Sequence, residues 1–145
     1  MRRFDAAEYA TRDIGLLLVR LVIGLAMAIL HGYDKVSGGP EFWTQIGGAM
    51  SNFGITFLPV FWGFMAAFSE FFASILLALG ILFRPAAALL ACTMLVAVVV
   101  HLKMPAGAEN AGWSGASHAL ELLSVYVGLF LTGPGKYALG VLRRR

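Results

Sequence analysis

The chain has 145 residues, of which 59% are hydrophobic and 13% are Asp, Glu, Lys or Arg, about half the charge usual in a soluble domain. So little charge cannot cover a water-facing surface, which makes a lipid bilayer the expected partner. The single cysteine, Cys92, excludes an intrachain disulfide and a CxxC redox pair. The net charge of +3 comes from basic residues at the chain ends rather than on an aromatic-laced patch, which speaks for membrane topology and against nucleic acid.

The first predicted element is an apolar span over about 14–31, interrupted by Arg20. Ala26-Met27-Ala28 looks like a cleavage site, but an Arg within the apolar region and no net positive charge before it argue for a retained helix. Over 40–53, Phe42, Trp43, Ile46, Met50 and Phe53 recur at helical spacing, with Glu41 in the first turn. That pattern predicts a short helix lying on the outer membrane surface or over the bundle mouth. A second span, about 57–83, carries Glu70. Arg84-Pro85 is expected as a tight turn, Pro85 opening the third span (85–102) where a missing N–H costs least. Cys92 lies in that run and is expected to be buried among apolar groups. The segment from Lys103 to Gly115 reads as irregular and mobile, with Trp113 marking the interface. The fourth span, about 116–132, carries His118 and Glu121 and closes at Gly133-Pro134-Gly135.

The fold class expected is therefore an all-α integral membrane protein. Its architecture is a four-transmembrane-helix bundle with a short interfacial helix between helices 1 and 2, in one domain over 1–145. Four spans put both termini on one side. Arg2, Arg3, Arg12, Arg84, Lys136, Arg143, Arg144 and Arg145 then lie together, against Lys35 and Lys103 opposite. Eight against two makes both termini cytoplasmic in an inner (plasma) membrane.

An unpaired charge near the bilayer centre costs roughly 2.5 to 3.5 kcal/mol on the insertion scale, so the intramembrane charges are expected to face one another. Arg20 and Glu70 are the expected ion pair, with Glu121 competing. At about 1.5 Å per residue, Arg20 lies about 10 Å from the cytoplasmic edge, Glu121 about 18 Å, Glu70 about 21 Å, and His118, His101 and His31 about 22 to 26 Å. Three small and polar stripes are expected to line the interior. They are Arg20, Gly24, Ala28 and His31; Gly63, Ala67, Glu70, Ala73 and Ser74; and Ser117, Glu121, Ser124 and Gly128. The plainer reading is that the charges only lock helix register. His118 and Glu121, three apart, could form half of a metal site; with only two intramembrane Glu, no metal is expected. Haem ligation by His101 or His118 has equally little behind it.

Three segments carry a family pattern. LVRLVIGLAMAILHGYDK (18–35), AFSEFFASILLALGILFRPAAALLA (67–91) and FLTGPGKYALGVLRR (130–144) resemble, in that order, the Arg-bearing first helix, the Glu-bearing second helix and the terminal Gly-Pro-Gly of DoxX-like membrane proteins. The matching positions are Arg20, Gly32, Lys35, Glu70, Gly80, Arg84, Gly133, Pro134 and Gly135. His101, His118, Glu121 and the Trp113 loop depart from it. The resemblance implies a four-helix membrane fold and a link to quinone chemistry, since the family is named for a small subunit of an archaeal thiosulfate:quinone oxidoreductase. The leading expectation is a subunit or accessory of a quinone-linked membrane oxidoreductase. Glu70, Glu121 and His118 would be its catalytic proton carriers, and Arg20, His31, Lys35 and His101 its ligand-binding residues, with a quinone as cofactor. Without a flavin or dinucleotide loop, electrons would come from a soluble or membrane redox partner; a second copy of the chain is a further candidate partner. The rivals are a small proton-coupled carrier or binding protein for an apolar or weakly acidic solute, and a non-catalytic membrane scaffold. An internal polar cavity open to one side would favour the carrier. A closed ion pair at Arg20 with no pocket would favour the scaffold.

Overall fold

A computed structural model of the chain describes residues 6–142, so Arg2, Arg3, Arg143, Arg144 and Arg145 of the charge count lie outside the described residues. Helix α1 runs over Ala6–Met27, passes through a π-helical turn at Ala28–Gly32 and ends with Tyr33–Ser37. Helix α2, Gly39–Gly47, continues as a 3-10 turn over Gly48–Phe53. Helix α3 comprises Pro59–Phe68, a π-helical turn at Ser69–Ala73, and Ser74–Leu79. Helices α4 (Phe83–Lys103) and α5 (Gly112–Thr132) follow, then the one-turn α6 (Leu139–Leu142). No strand occurs among the described residues, and α1, α3, α4 and α5 are each long and apolar enough to cross a membrane.

The boundaries differ from the sequence reading in instructive ways. Helix α1 continues six residues past His31, because the π-turn absorbs an extra residue without breaking the backbone ladder. Helix α3 starts only at Pro59, after Leu58 takes a left-handed conformation (φ 52°). The turn between α3 and α4 is not at Arg84-Pro85 but at Gly80–Leu82. Gly80 adopts φ 71°, and its N–H and that of Ile81 donate to the Leu77 and Leu76 carbonyls, the pairing that closes a helix on a left-handed glycine. Arg84 and Pro85 then fall in the first turn of α4, where proline needs no N–H partner.

The core is apolar and lies between α3, α4 and α5. Leu77, Ala87, Leu90, Met94, Ala119, Leu122 and Tyr126 are buried there, with Met27 joining from α1. The buried polar exceptions among the described residues are Arg20, Ser69, Glu70 and Ser74. Outward faces carry large apolar side chains, such as Val22 and Leu25 on α1, Phe61, Phe64 and Phe72 on α3, and Leu95 on α4. That arrangement suits contact with acyl chains rather than water.

The amphipathic segment lies against the bundle. Trp43 of α2 packs edge-on against Phe64 of α3, ring centroids 5.1 Å apart. The 3-10 turn is tied to the end of α4 by Lys103, whose Nζ donates to the Asn52 carbonyl. The segment after α4 is irregular yet hydrogen-bonded. Ala108 and Ala111 close consecutive turns on Pro105 and Ala108, and the His101 ring meets the Asn110 carbonyl at 2.8 Å.

Candidate functional site

Two π-turns, one in α1 and one in α3, meet face to face. Gly32 makes the meeting close: a Cβ there would sit 2.6 Å from the Glu70 carbonyl and the Phe71 nitrogen. A π-turn widens the helix by one residue, and such turns are frequent at functional sites. Here Glu70, 3% exposed, points into the bundle, and Lys35, about one turn beyond Gly32, reaches it. Lys35 Nζ donates to both Glu70 carboxylate oxygens at 2.6 Å. The backbone around Lys35 is held as well, since Trp43 Nε1 donates to the Lys35 carbonyl at 2.7 Å.

This ion pair replaces the expected one. Arg20 is 1% exposed but donates through Nη2 to the Tyr137 carbonyl, at the end of the bundle bearing the termini. Its side chain turns away from Glu70, and Nη1 lies close against Gly80 and its turn. The depth estimate placed Arg20 and Glu70 about 11 Å apart, leaving the pairing to side-chain reach. Lys35 is the nearer cation, because α1 extends far enough to bring it level with Glu70.

The Lys35–Glu70 pair lines a half-open cavity of about 680 Å³ between α2, α3 and α4. Its walls are mainly apolar, with Ile46, Met50, Phe61, Met65, Val96 and Val100 among them. Polar groups are few: Lys35, Glu70, Gln45, Thr93 and His101. Thr93 donates to Ser69 Oγ at 2.9 Å and shares its hydroxyl hydrogen with the Leu89 carbonyl at 3.0 Å. Trp62, also on the wall, has a buried indole N–H with no hydrogen-bond partner among the described residues. Cys92 is exposed and lines this cavity, contrary to the expectation of a buried thiol.

Of the residues singled out in the sequence, the fold thus gathers Glu70, Lys35 and His101 at one cavity. Arg20, His31, His118 and Glu121 are not part of it. His31 and His118 are exposed and face each other across α1 and α5, ring centroids 5.7 Å apart. Glu121 is exposed on the outer side of α5, so the stripe Ser117, Glu121, Ser124 and Gly128 faces away from the core instead of lining it. The inward side of α5 is taken by Ala116, Ala119, Leu122 and Tyr126, and helical geometry sends the small stripe to the opposite side. No cluster of three or more His, Cys, Asp or Glu suited to a metal ion occurs among the described residues.

Sequence reasoning missed Thr93, Trp62 and Met65 as site residues. Their signal is indirect, because nothing local distinguishes a cavity-lining apolar residue from a packed one. Trp62 alone was readable, since indole N–H groups in apolar surroundings usually find an acceptor.

Against known proteins, the DoxX family model matches residues 15–102, well over half of the chain and the whole stretch from Arg20 through His101. No curated protein and no solved structure matches the chain.

Proposed function

The chain belongs to the DoxX family, and we propose that it serves as a subunit or accessory of a quinone-linked membrane oxidoreductase, holding a quinone head group in the cavity beside Lys35 and Glu70. The observation that carries this reading is an ion pair lining a mainly apolar cavity. About 680 Å³ falls within the range of small-molecule sites. A quinone accepts two electrons and two protons, and its ring carbonyls are hydrogen-bond acceptors.

Donors for such acceptors stand on the wall. Lys35 has three N–H bonds, of which two are directed at Glu70. The indole N–H of Trp62 has no partner among the described residues, but it is covered and meets a ligand only if the ring turns toward the cavity. Glu70 is the candidate proton carrier at the ligand, and Lys35 holds its carboxylate in place through both oxygens. Met65, Phe61 and Val100 exclude water, and an isoprenoid-type tail would remain among the acyl chains. Electrons come from a redox partner protein, since the sequence carries no flavin or dinucleotide loop and no cysteine cluster. The excess of Lys and Arg at the terminus-bearing end supports an inner-membrane setting with cytoplasmic termini.

The mainly apolar walls count against a carrier for a weakly acidic solute but leave a carrier or binding protein for an apolar solute as the rival reading, and the presence of a cavity counts against a bare scaffold. The test is a titration of the purified full chain in lipid nanodiscs with decylubiquinone, read by tryptophan fluorescence. Saturable quenching is expected, weakened at least tenfold in Glu70→Gln and in Lys35→Met. Absence of saturable binding in the wild type, together with unchanged quinone-dependent redox activity of membranes carrying Glu70→Gln, would sink the proposal.

A further inference from the structure

His101 stands where the cavity meets the end of α4 remote from the termini, and its ring is held by one edge. Nδ1 lies 2.8 Å from the Asn110 carbonyl oxygen. A carbonyl only accepts, so Nδ1 carries the hydrogen and the neutral ring keeps a lone pair on Nε2. His101 lines the cavity and Asn110 does not, so the edge that the cavity meets is the one bearing Nε2.

The surrounding backbone is arranged around that hydrogen bond. Asn110 takes a left-handed conformation (φ 63°), which residues with side chains seldom adopt. A Cβ on Gly115, in the first turn of α5, would collide with the same carbonyl. The turns closed by Ala108 and Ala111 lead into it, and Lys103 ties the end of α4 to Asn52.

The polar groups stand at the two ends of the cavity. Thr93 bonds Ser69, the neighbour of Glu70, and so marks the level of the ion pair on α4. From Thr93 to His101 is about 12 Å along the helix axis. Val96, Ala97 and Val100 line the wall between them and offer no polar side chain. A six-membered ring with oxygens at opposite corners measures about 5 Å between them, and a hydrogen bond at each end brings the length to about 11 Å.

Resting on the quinone reading above, we propose that the cavity holds its ligand lengthwise and that His101 selects the reduced form. Nε2 accepts from one hydroxyl of a para-hydroquinone whose other oxygen lies at Lys35 and Glu70. A quinone carbonyl at Nε2 would set lone pair against lone pair, and the Glu70 carboxylate is likewise an acceptor. When the redox partner delivers two electrons, protonated His101 gives its Nε2 hydrogen to the far oxygen and protonated Glu70 gives its own to the near one. The neutral imidazole and the carboxylate are then left as acceptors of the two new O–H groups. His101 regains its hydrogen from water at the mouth, where the ring is only partly buried.

The test compares decylubiquinol with decylubiquinone on the full chain in nanodiscs, by calorimetry against empty nanodiscs under mildly alkaline, anaerobic conditions. The quinol is expected to bind about fivefold more tightly, the worth of one hydrogen bond. His101→Leu should abolish that preference while keeping quinone affinity, and Gly115→Ala, which displaces the Asn110 carbonyl and leaves the cavity wall intact, should reduce it. Nitrogen-15 NMR of the histidine-labelled wild type, assigned by replacing the exposed His31 and His118 in turn, should show Nδ1 of His101 protonated and Nε2 without hydrogen. Adding quinol should move the Nε2 signal. Equal binding of the two forms, a preference that survives in His101→Leu, or an Nε2 that carries the hydrogen overturns this inference and leaves the quinone reading standing. Binding of neither form overturns both. The NMR arm uses the unaltered His101, so it decides even if His101→Leu fails to fold.

Discussion

Lys35 Nζ lies 2.6 Å from both carboxylate oxygens of Glu70, joining the last turn of α1 to the middle of α3. The two partners are not equivalent. The Lys35 side chain is 30% exposed and the Glu70 side chain 4% exposed, so losing the lysine strands a carboxylate, whereas losing the carboxylate leaves an ammonium that can reach outward.

Lys35→Met is therefore expected to destabilise the fold by about 3 kcal/mol, the usual result of leaving one buried charge unpaired. Glu70→Gln should cost about 1 to 2 kcal/mol, and the double variant less than the sum of the two. Thermal unfolding in detergent micelles measures all three. Equal losses for the two single variants would contradict the asymmetry.

Gly32→Ala tests the contact that makes the pair. The added Cβ would lie 2.6 Å from the Glu70 carbonyl, a backbone group that cannot rotate aside. A loss of about 1 to 3 kcal/mol is expected from overpacking, together with weaker decylubiquinone binding because Lys35 is levered off Glu70. Retained stability and retained binding together would show that α1 and α3 do not approach in this way.

Arg20 works at the other end of the bundle. Its Nη2 donates to the Tyr137 carbonyl, and Gly140 N–H donates to the Gly80 carbonyl, so the segment after Gly135 is stitched to the α3–α4 turn. Arg20→Ala is expected to free that segment, with a loss of about 1.5 to 3 kcal/mol for a charge-assisted hydrogen bond. Hydrogen exchange at Gly140 and Val141 should quicken markedly. Decylubiquinone binding should be nearly unchanged, because Arg20 is not at the cavity.

Ala97→Phe fills the cavity without touching the ion pair. A wall residue facing about 680 Å³ of space can accept a ring, so stability should change by less than about 1.5 kcal/mol. Binding of decylubiquinone should fall at least tenfold. A variant that unfolds would show that Ala97 faces packed core instead.

The spans, the amphipathic α2 and the closure at Gly133 were legible because each rests on a local signal: an apolar run, a helical period, or a glycine past a helix end. Glu70 was equally plain as a charge that lipid disfavours. Its partner was not, because the depth estimate assumed that α1 stops at His31 and rises uniformly, and nothing in the period of 28–32 or 69–73 announces a π-turn. The α3–α4 turn was misplaced for a related reason. Arg84-Pro85 is the louder punctuation, yet Gly80, four residues earlier, supplies the left-handed backbone that ends α3. The stripe on α5 illustrates a further limit. Small residues at helical spacing look the same whether they face a neighbour within the chain or one outside it, and only the burial of Leu122 and Tyr126 settles which side is which.

The paired π-turns are where this chain can lose a residue without disturbing the site. Each holds one residue more than an α-helical turn would. Deleting one residue from Ala28–Gly32 would let that turn close as ordinary α-helix and leave Lys35 facing nearly the same way, whereas a deletion within the α-helical stretch Arg20–Met27 would swing everything beyond it by about 100° and carry Lys35 off the carboxylate. Among relatives of this chain, length changes in α1 and α3 should therefore gather at these two turns.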